Sequence, residues 1–148
     1  MVAATSVTTV VSAASETGAS TLTLDYDCVF PLLEEQPLTV SISADMPASV
    51  PTGQLTEAFS INAEAVASGD AWHALDFLGS RSLAGTVRAE ALISGPSLSL
   101  DLVVPMTVPD QAMPSDPDHF VITTFGETPP LMFGEDNRGE VDISVSDL

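Results

Sequence analysis

The stretch TLTLDYDCVF, residues 21–30, alternates polar and apolar side chains along almost its whole length. Leu22, Leu24, Tyr26 and Cys28 fall on one face of an extended chain, and threonines and aspartates fall on the other. Successive side chains of a β-strand point to opposite sides of the sheet, so this period of two predicts a strand with one buried face. Cys28, the single cysteine of the chain, is therefore expected to point into the core.

The same alternation returns along most of the chain, and one segment interrupts it. Trp72, Leu75 and Leu78 have helical spacing, which predicts a short helix around Ala71–Leu78 with Gly79 as its C-terminal cap. The further predicted strands are PLTVSISADMP (37–47), EAFSINAEAVAS (57–68), SLAGTVRAEALIS (82–94), SLSLDLVVPMTVP (97–109, closed by Pro105 and Pro109), FVITTF (120–125), PPLMF (129–133) and EVDISVSDL (140–148).

Seven or eight short strands separated by turn signals indicate the fold class. They predict an all-β protein, an antiparallel immunoglobulin-like β-sandwich with one short helix in a crossover connection. The chain has 148 residues, of which 45% are hydrophobic, enough for one domain with a core. We expect residues 1–20 to form an N-terminal arm, flexible or strand-exchanging, and residues 21–148 to form the sandwich. The alternation is still running at Leu148, which is typical of a domain truncated at its C-terminus.

The charge balance excludes several classes of function. The net charge is −18, from 21 acidic residues against three arginines and no lysine. Such a surface repels nucleic acid and anionic membranes. The absence of lysine rules out phosphate-loop and Schiff-base lysines. No apolar run reaches the ~18 residues of a membrane span, so we expect neither a nucleic-acid partner nor membrane insertion.

Candidate catalytic groups are sparse. His73 and His119 stand apart in the sequence and show no spacing of a metal site. The chain has no Gly-x-Ser-x-Gly motif, the usual setting of a serine nucleophile in one large hydrolase class. Cys28 is flanked by an aspartate and an apolar core, which does not favour a reactive thiolate. We therefore expect no enzymatic activity and assign no catalytic residue.

Calcium is the one cofactor for which the sequence offers ligands. Hard oxygen ligands on a tight loop are what calcium requires. The spacing is not that of an EF-hand, and hairpin turns are also rich in Asp, Asn and Gly, so both interpretations stay open. The segment DPDH, residues 116–119, is a second stretch of the same kind. The candidate calcium ligands around the glycine turn are Glu135, Asp136, Asn137, Glu140 and Asp142.

Several motifs in a fixed order resemble a known family. They are Y-x-C-x-F-P at Tyr26–Pro31, then QPLTVSISADMP and VPTG, then ALDFLGSRSLAGT and LVVPMTVP, and finally FGETPPLMF with VDISVSDL. Together they resemble DUF6801, a domain of unknown function in secreted proteins of Streptomyces and related actinobacteria, over about Leu22–Leu148. The resemblance implies an extracellular, β-rich protein to which no activity is attached.

The resemblance also bears on Cys28. It implies that the chain continues past Leu148 and that a second cysteine in that tail, outside this chain, forms a disulfide with Cys28. The alternative is that Cys28 is a small buried hydrophobe, a common use of free cysteine. Both interpretations remain open at the level of the sequence.

Three functions fit these observations. The first is a non-catalytic extracellular structural or interaction module, a homo-oligomer or a subunit of a surface filament. In it the arm residues Val7, Thr9 and Val11 would enter a neighbour's sheet by strand exchange. The second is a ligand- or glycan-binding accessory domain, which requires exposed aromatic residues. The third is a virion or particle surface protein.

Overall fold

The computed structural model describes residues 3–4, 18–47 and 49–147. Alternating sequence forms strands throughout, and the segment with helical spacing forms the one α-helix of these residues. Two short 3-10 turns lie at Pro117–His119 and Glu135–Asn137. The elements are β1 (Ala3–Ala4), β2 (Gly18–Val29), β3 (Glu35–Met46), β4 (Ser60–Ala67), α1 (Gly69–Phe77), β5 (Ser82–Gly95), β6 (Leu98–Ala112), β7 (Val121–Glu127) and β8 (Asp142–Asp147).

The eight strands form one sheet in the order β1-β2-β3-β4-β7-β6-β5-β8. Every neighbouring pair is antiparallel. The sheet curls so that side chains from β2, β3 and β4 meet those of β5, β6 and β8 in one core, which gives a half-barrel. The buried members of this core are Leu24, Tyr26, Val40, Ile42, Ala63, Ala89, Val104 and Met106.

Strands β6 and β7 pair over only a short stretch in the middle of the sheet. These strands pair only at Met106 with Gly126 and at Thr107 with Phe125, whereas β4 and β7 pair over seven positions from Ser60 with Glu127. The backbones of β6 and β7 approach each other closely here, and the missing side chain of Gly126 makes this approach sterically possible. A Cβ built there would lie 2.6 Å from the backbone oxygen of Pro105.

Helix α1 covers one end of the half-barrel. Ala67, Ala71 and Phe120 are buried there, and Phe30, Trp72, Leu75 and Leu83 are among the side chains packed against them. The Trp72 indole Nε1 donates a hydrogen bond of 2.8 Å to the Pro114 carbonyl, which ties the helix to the loop before β7. The predicted helix is therefore confirmed, and Gly79, with φ of 79°, follows its C-terminus as expected.

Three expectations about the strands need revision. The antiparallel all-β fold with one short helix is confirmed, but the immunoglobulin-like sandwich is not, because the described strands form one continuous curled sheet. Strand β6 passes through Pro105 and Pro109 instead of ending at them. Proline is tolerated where its missing N–H is not needed, and β6 has little pairing to β7. The predicted strand PPLMF makes only an isolated bridge, between Met132 and Leu55.

Candidate functional sites

The first candidate site is the seam between the two edges of the curled sheet. β2 pairs with β3 along one edge over its whole length, and β8 pairs with β5. Along the other edge of β2, the pairing within the described residues consists of Ala3 with Asp27 and Ala4 with Tyr26. Cα atoms of β1 also lie within 8 Å of those of β8. A two-residue strand therefore bridges the two edges at one point.

Along the remainder of this seam, the described residues leave the backbone of both edge strands without a pairing strand. From Gly18 to Asp25, the second edge of β2 has no strand partner among the described residues. The outer edge of β8 likewise has none in the part of the chain that the structure describes. Edge N–H and C=O groups of this kind are a template for a further strand. The arm residues Val7, Thr9 and Val11, predicted to supply that strand, lie outside the described residues.

The second candidate site is a groove on the outer face of the sheet, opposite the core. Its volume is about 500 Å³. The strand register aligns its side chains in rows that run across the strands. One row follows the pairs of Thr21 with Ser43, Ser43 with Asn62 and Asn62 with Phe125. The neighbouring row follows Thr23, Ser41, Glu64 and Thr123 in the same way.

Phe125 is the aromatic group of this groove. Its side chain is 50% exposed, although it comes from the centre of a strand. Its partners across the two adjacent strands are Asn62 and Thr107, so polar side chains flank the ring on both sides. Phe125 was not predicted from the sequence as a site residue. Its neighbours on the other face of β7, Ile122 and Thr124, are only half-buried, and the strand register is what places Phe125 in the groove.

Cys28 lies at the margin of the core. It is half-buried and packs against the core cluster on the same side as Leu24 and Tyr26, as the alternation predicts. Burial raises the pKa of the Cys28 thiol, and the neighbouring Asp27 carboxylate adds to the effect. The thiol is thus held in its protonated form at neutral pH. The disulfide predicted for Cys28 stays a prediction.

The candidate calcium ligands lie in and after the 3-10 turn at Glu135–Asn137. Glu135 accepts a hydrogen bond from Thr52 Oγ1 at 2.9 Å and pairs with Arg138. Asp142 lies in β8 opposite Ser94. Among the described residues, no group of three or more His, Cys, Asp or Glu side chains is arranged to hold a metal ion. The turn is therefore organised by protein contacts at Glu135.

The two histidines lie in different surroundings. The His73 ring packs edge-on against Trp72, with ring centroids 5.1 Å apart. His119 Nδ1 lies 2.9 Å from the Asp116 carboxylate in the exposed segment 116–119. A backbone hydrogen bond from Asp118 and the contact with His119 lower the pKa of Asp116. These contacts close a local turn and do not join the two histidines into one site.

Comparisons with known proteins place the chain in a family. No helix among the described residues is long and apolar enough to cross a membrane. No curated protein and no solved structure matches the chain. A family model, described as a family of unknown function (DUF6801), matches residues 25–148, which include β3 to β8 and the last part of β2. The chain therefore belongs to the DUF6801 family.

Proposed function

We propose that this protein is a non-catalytic extracellular interaction module that joins copies of itself by exchanging a strand at the seam between β2 and β8. The observation that carries the proposal is the pairing of Ala3–Ala4 with the open edge of β2. This pairing supports the idea that the N-terminal segment and the seam are complementary. An extracellular location is supported by the motif resemblance described above.

Backbone chemistry supports a strand at this position. Unpaired N–H and C=O groups near an apolar core are costly, and an added strand satisfies them while its side chains cover the core margin. The open stretch of β2 from Gly18 to Asp25 is eight residues long, which is about the length of an ordinary strand. The same contact can form within one chain or between two, as in domain swapping. A contact repeated from copy to copy would build the proposed assembly.

A disulfide test distinguishes exchange from pairing within one chain. Directly paired residues of adjacent strands have Cα atoms about 4.5–5.5 Å apart, within the range of a disulfide. We would combine Ala3→Cys and Asp27→Cys in a Cys28→Ser background and oxidise the protein over a range of concentrations. The proposal expects covalent dimers and higher multimers that increase with concentration, seen by non-reducing electrophoresis.

Two controls make this test decisive. Thr21→Cys in place of Asp27→Cys moves the thiol six residues along β2, roughly 20 Å away, and should abolish specific crosslinking. Deletion of residues 1–15 should leave a monomer by light scattering under conditions in which the intact chain assembles. Crosslinks that stay within one chain at every concentration, together with an unchanged mass after the deletion, would contradict strand exchange.

A further inference from the structure

The outer-face groove, on the side of the sheet opposite the core, has a chemistry of its own. The row through Thr21, Ser43, Asn62 and Phe125 continues across β6 and β5 to Thr107 and Thr86. Neighbouring strands lie about 4.8 Å apart, so the row presents a polar side chain at that interval on either side of one aromatic ring. Hydroxyl and amide groups both donate and accept hydrogen bonds, whereas carboxylates only accept.

Several of these groups have hydrogen-bonding capacity to spare. Within the described residues, neither the Asn62 side-chain amide nor the Thr21 hydroxyl has a hydrogen-bond partner in the protein. Ser43 Oγ makes only a long contact of 3.5 Å with the Asn62 carbonyl. In the free protein these groups are hydrated. A ligand rich in hydroxyl groups can displace the water and make the same number of hydrogen bonds in its place. The half-exposed Phe125 ring offers a flat apolar face beside them.

The charges around the groove select against anions. Glu64 lies in the second row of the groove, and the protein carries a net charge of −18. Arg88, the arginine on the outer face of this sheet, lies on β5 opposite Pro105 of β6, so it is two strands away from Phe125 on β7. A phosphate, sulfate or uronate group entering the groove would meet a carboxylate with no facing cation, which is unfavourable. A neutral ligand avoids this repulsion.

We propose that the outer-face groove is a glycan-binding site for uncharged polysaccharide chains, in which a sugar ring stacks on Phe125 while Asn62 and the flanking hydroxyls hydrogen-bond to the neighbouring sugars. Sugar rings have an apolar face of C–H groups that matches the electron-rich face of an aromatic ring. Their equatorial hydroxyls match the polar side chains beside that ring. Thr21 lies on the seam strand β2, but Asn62 and Phe125 lie on β4 and β7, so the proposal does not rest on strand exchange.

The test uses the full chain with defined soluble oligosaccharides. Cellohexaose and chitohexaose serve as neutral probes, and a heparin-derived hexasaccharide serves as the anionic probe, each titrated by calorimetry and by NMR. We expect binding of at least one neutral probe, with shifts of the Asn62 side-chain amide and the Phe125 ring signals. Phe125→Ala should weaken that binding about tenfold, since one stacking contact of this size corresponds to roughly that factor.

Phe77→Ala provides the matched control, because Phe77 is a phenylalanine that is 83% exposed on α1, away from the groove. This variant should bind the neutral probe as the unaltered chain does. Asn62→Ala provides a second variant in the groove should Phe125→Ala unfold. The proposal is overturned if neither neutral probe binds at millimolar concentration, if only the anionic probe binds, or if the groove variants bind like the Phe77→Ala protein.

Discussion

At the residue scale, the most unusual backbone belongs to Leu32. Its φ is 66°, and it is the one residue other than glycine with positive φ among the described residues. Pro31 precedes it, and the Leu33 amide donates a hydrogen bond of 3.1 Å to the Phe30 carbonyl. This is the geometry of a type II turn, which favours glycine at the position of Leu32. The Leu32 side chain is 66% exposed, so its burial offsets little of the free energy that the left-handed conformation costs.

Leu32→Gly is expected to stabilise the protein by about 0.5–1 kcal/mol. Removal of the Cβ relieves the left-handed strain, and the larger entropy of glycine in the unfolded chain offsets part of the gain. Urea unfolding measures the difference. Leu55→Gly is the control, because Leu55 is equally exposed, at 69%, and lacks a positive φ. Equal effects of the two substitutions would contradict the strain argument.

Cys28 gives a prediction about pH. Burial raises the pKa of its thiol in the folded state, so the folded protein resists loss of the proton more than the unfolded chain does. The corresponding stability is fully present at neutral pH and is lost as the pH rises through the raised pKa. Cys28→Ser should flatten the alkaline part of the stability profile, measured by urea unfolding between about pH 7 and pH 10. An identical profile for the variant would show that the thiol does not contribute.

At the element scale, helix α1 shows how local signals define a short segment. Ser68 caps its N-terminus, with Oγ accepting a hydrogen bond of 3.2 Å from the Ala71 amide. At the other end, the Ser80 amide donates to the Leu75 carbonyl and the Gly79 amide donates to the Asp76 carbonyl. This is the Schellman arrangement, which requires the left-handed conformation of Gly79. Both ends are thus encoded within a few residues of the helix itself.

Ser68→Ala is expected to lower the free energy of unfolding by about 1–2 kcal/mol. The change removes the cap and also the hydrogen bond of 3.1 Å that the Ser68 hydroxyl donates to Gln36 Oε1 on β3. Thermal and urea unfolding measure the loss, and Ser68→Asp, which keeps a capping oxygen, should recover part of it. Ser99→Ala, at an exposed strand position, is the control. A loss no larger than that of Ser99→Ala would exclude a capping role.

At the scale of the whole molecule, the junction of β6 and β7 holds the two halves of the sheet together. β4 and β7 belong to one half, β5 and β6 to the other, and two residue pairs connect them. Side chains from both halves nevertheless form one core around Val40 and Val104. The half-barrel therefore depends on a close backbone approach at Gly126 and on a shared core.

Gly126→Ala is expected to destabilise the protein by more than about 2 kcal/mol. Its Cβ would lie 2.6 Å from the Pro105 carbonyl oxygen and 3.0 Å from Met106 Cγ, and backbone cannot move away as a flexible side chain can. Gly85→Ala is the matched control, since a Cβ there meets nothing within 4 Å. Urea unfolding compares the two. A Gly126→Ala protein as stable as the Gly85→Ala protein would contradict the proposed close approach.

From the sequence alone, the side chains of the candidate sites could be identified by residue type, but most of their arrangement in space could not. Cys28 and its inward direction followed from period two, because the face of a strand is set locally. The Ser, Thr and Asn side chains of the groove were recognised only as the polar faces of separate strands. Their alignment with Phe125 required the register of four strands, which no local pattern supplies.

The sequence by itself determined most of the strands, with their inward and outward faces, and the short helix with its cap. These features depend on side-chain periodicity and on hydrogen bonds between residues close in the chain. Only the tertiary structure decided that β4 pairs with β7, that the strands form one curled sheet instead of two, and that the described strands leave a seam between β2 and β8. Strand order depends on contacts between distant segments, such as Ser60 with Glu127, and the alternating pattern is equally compatible with several neighbours.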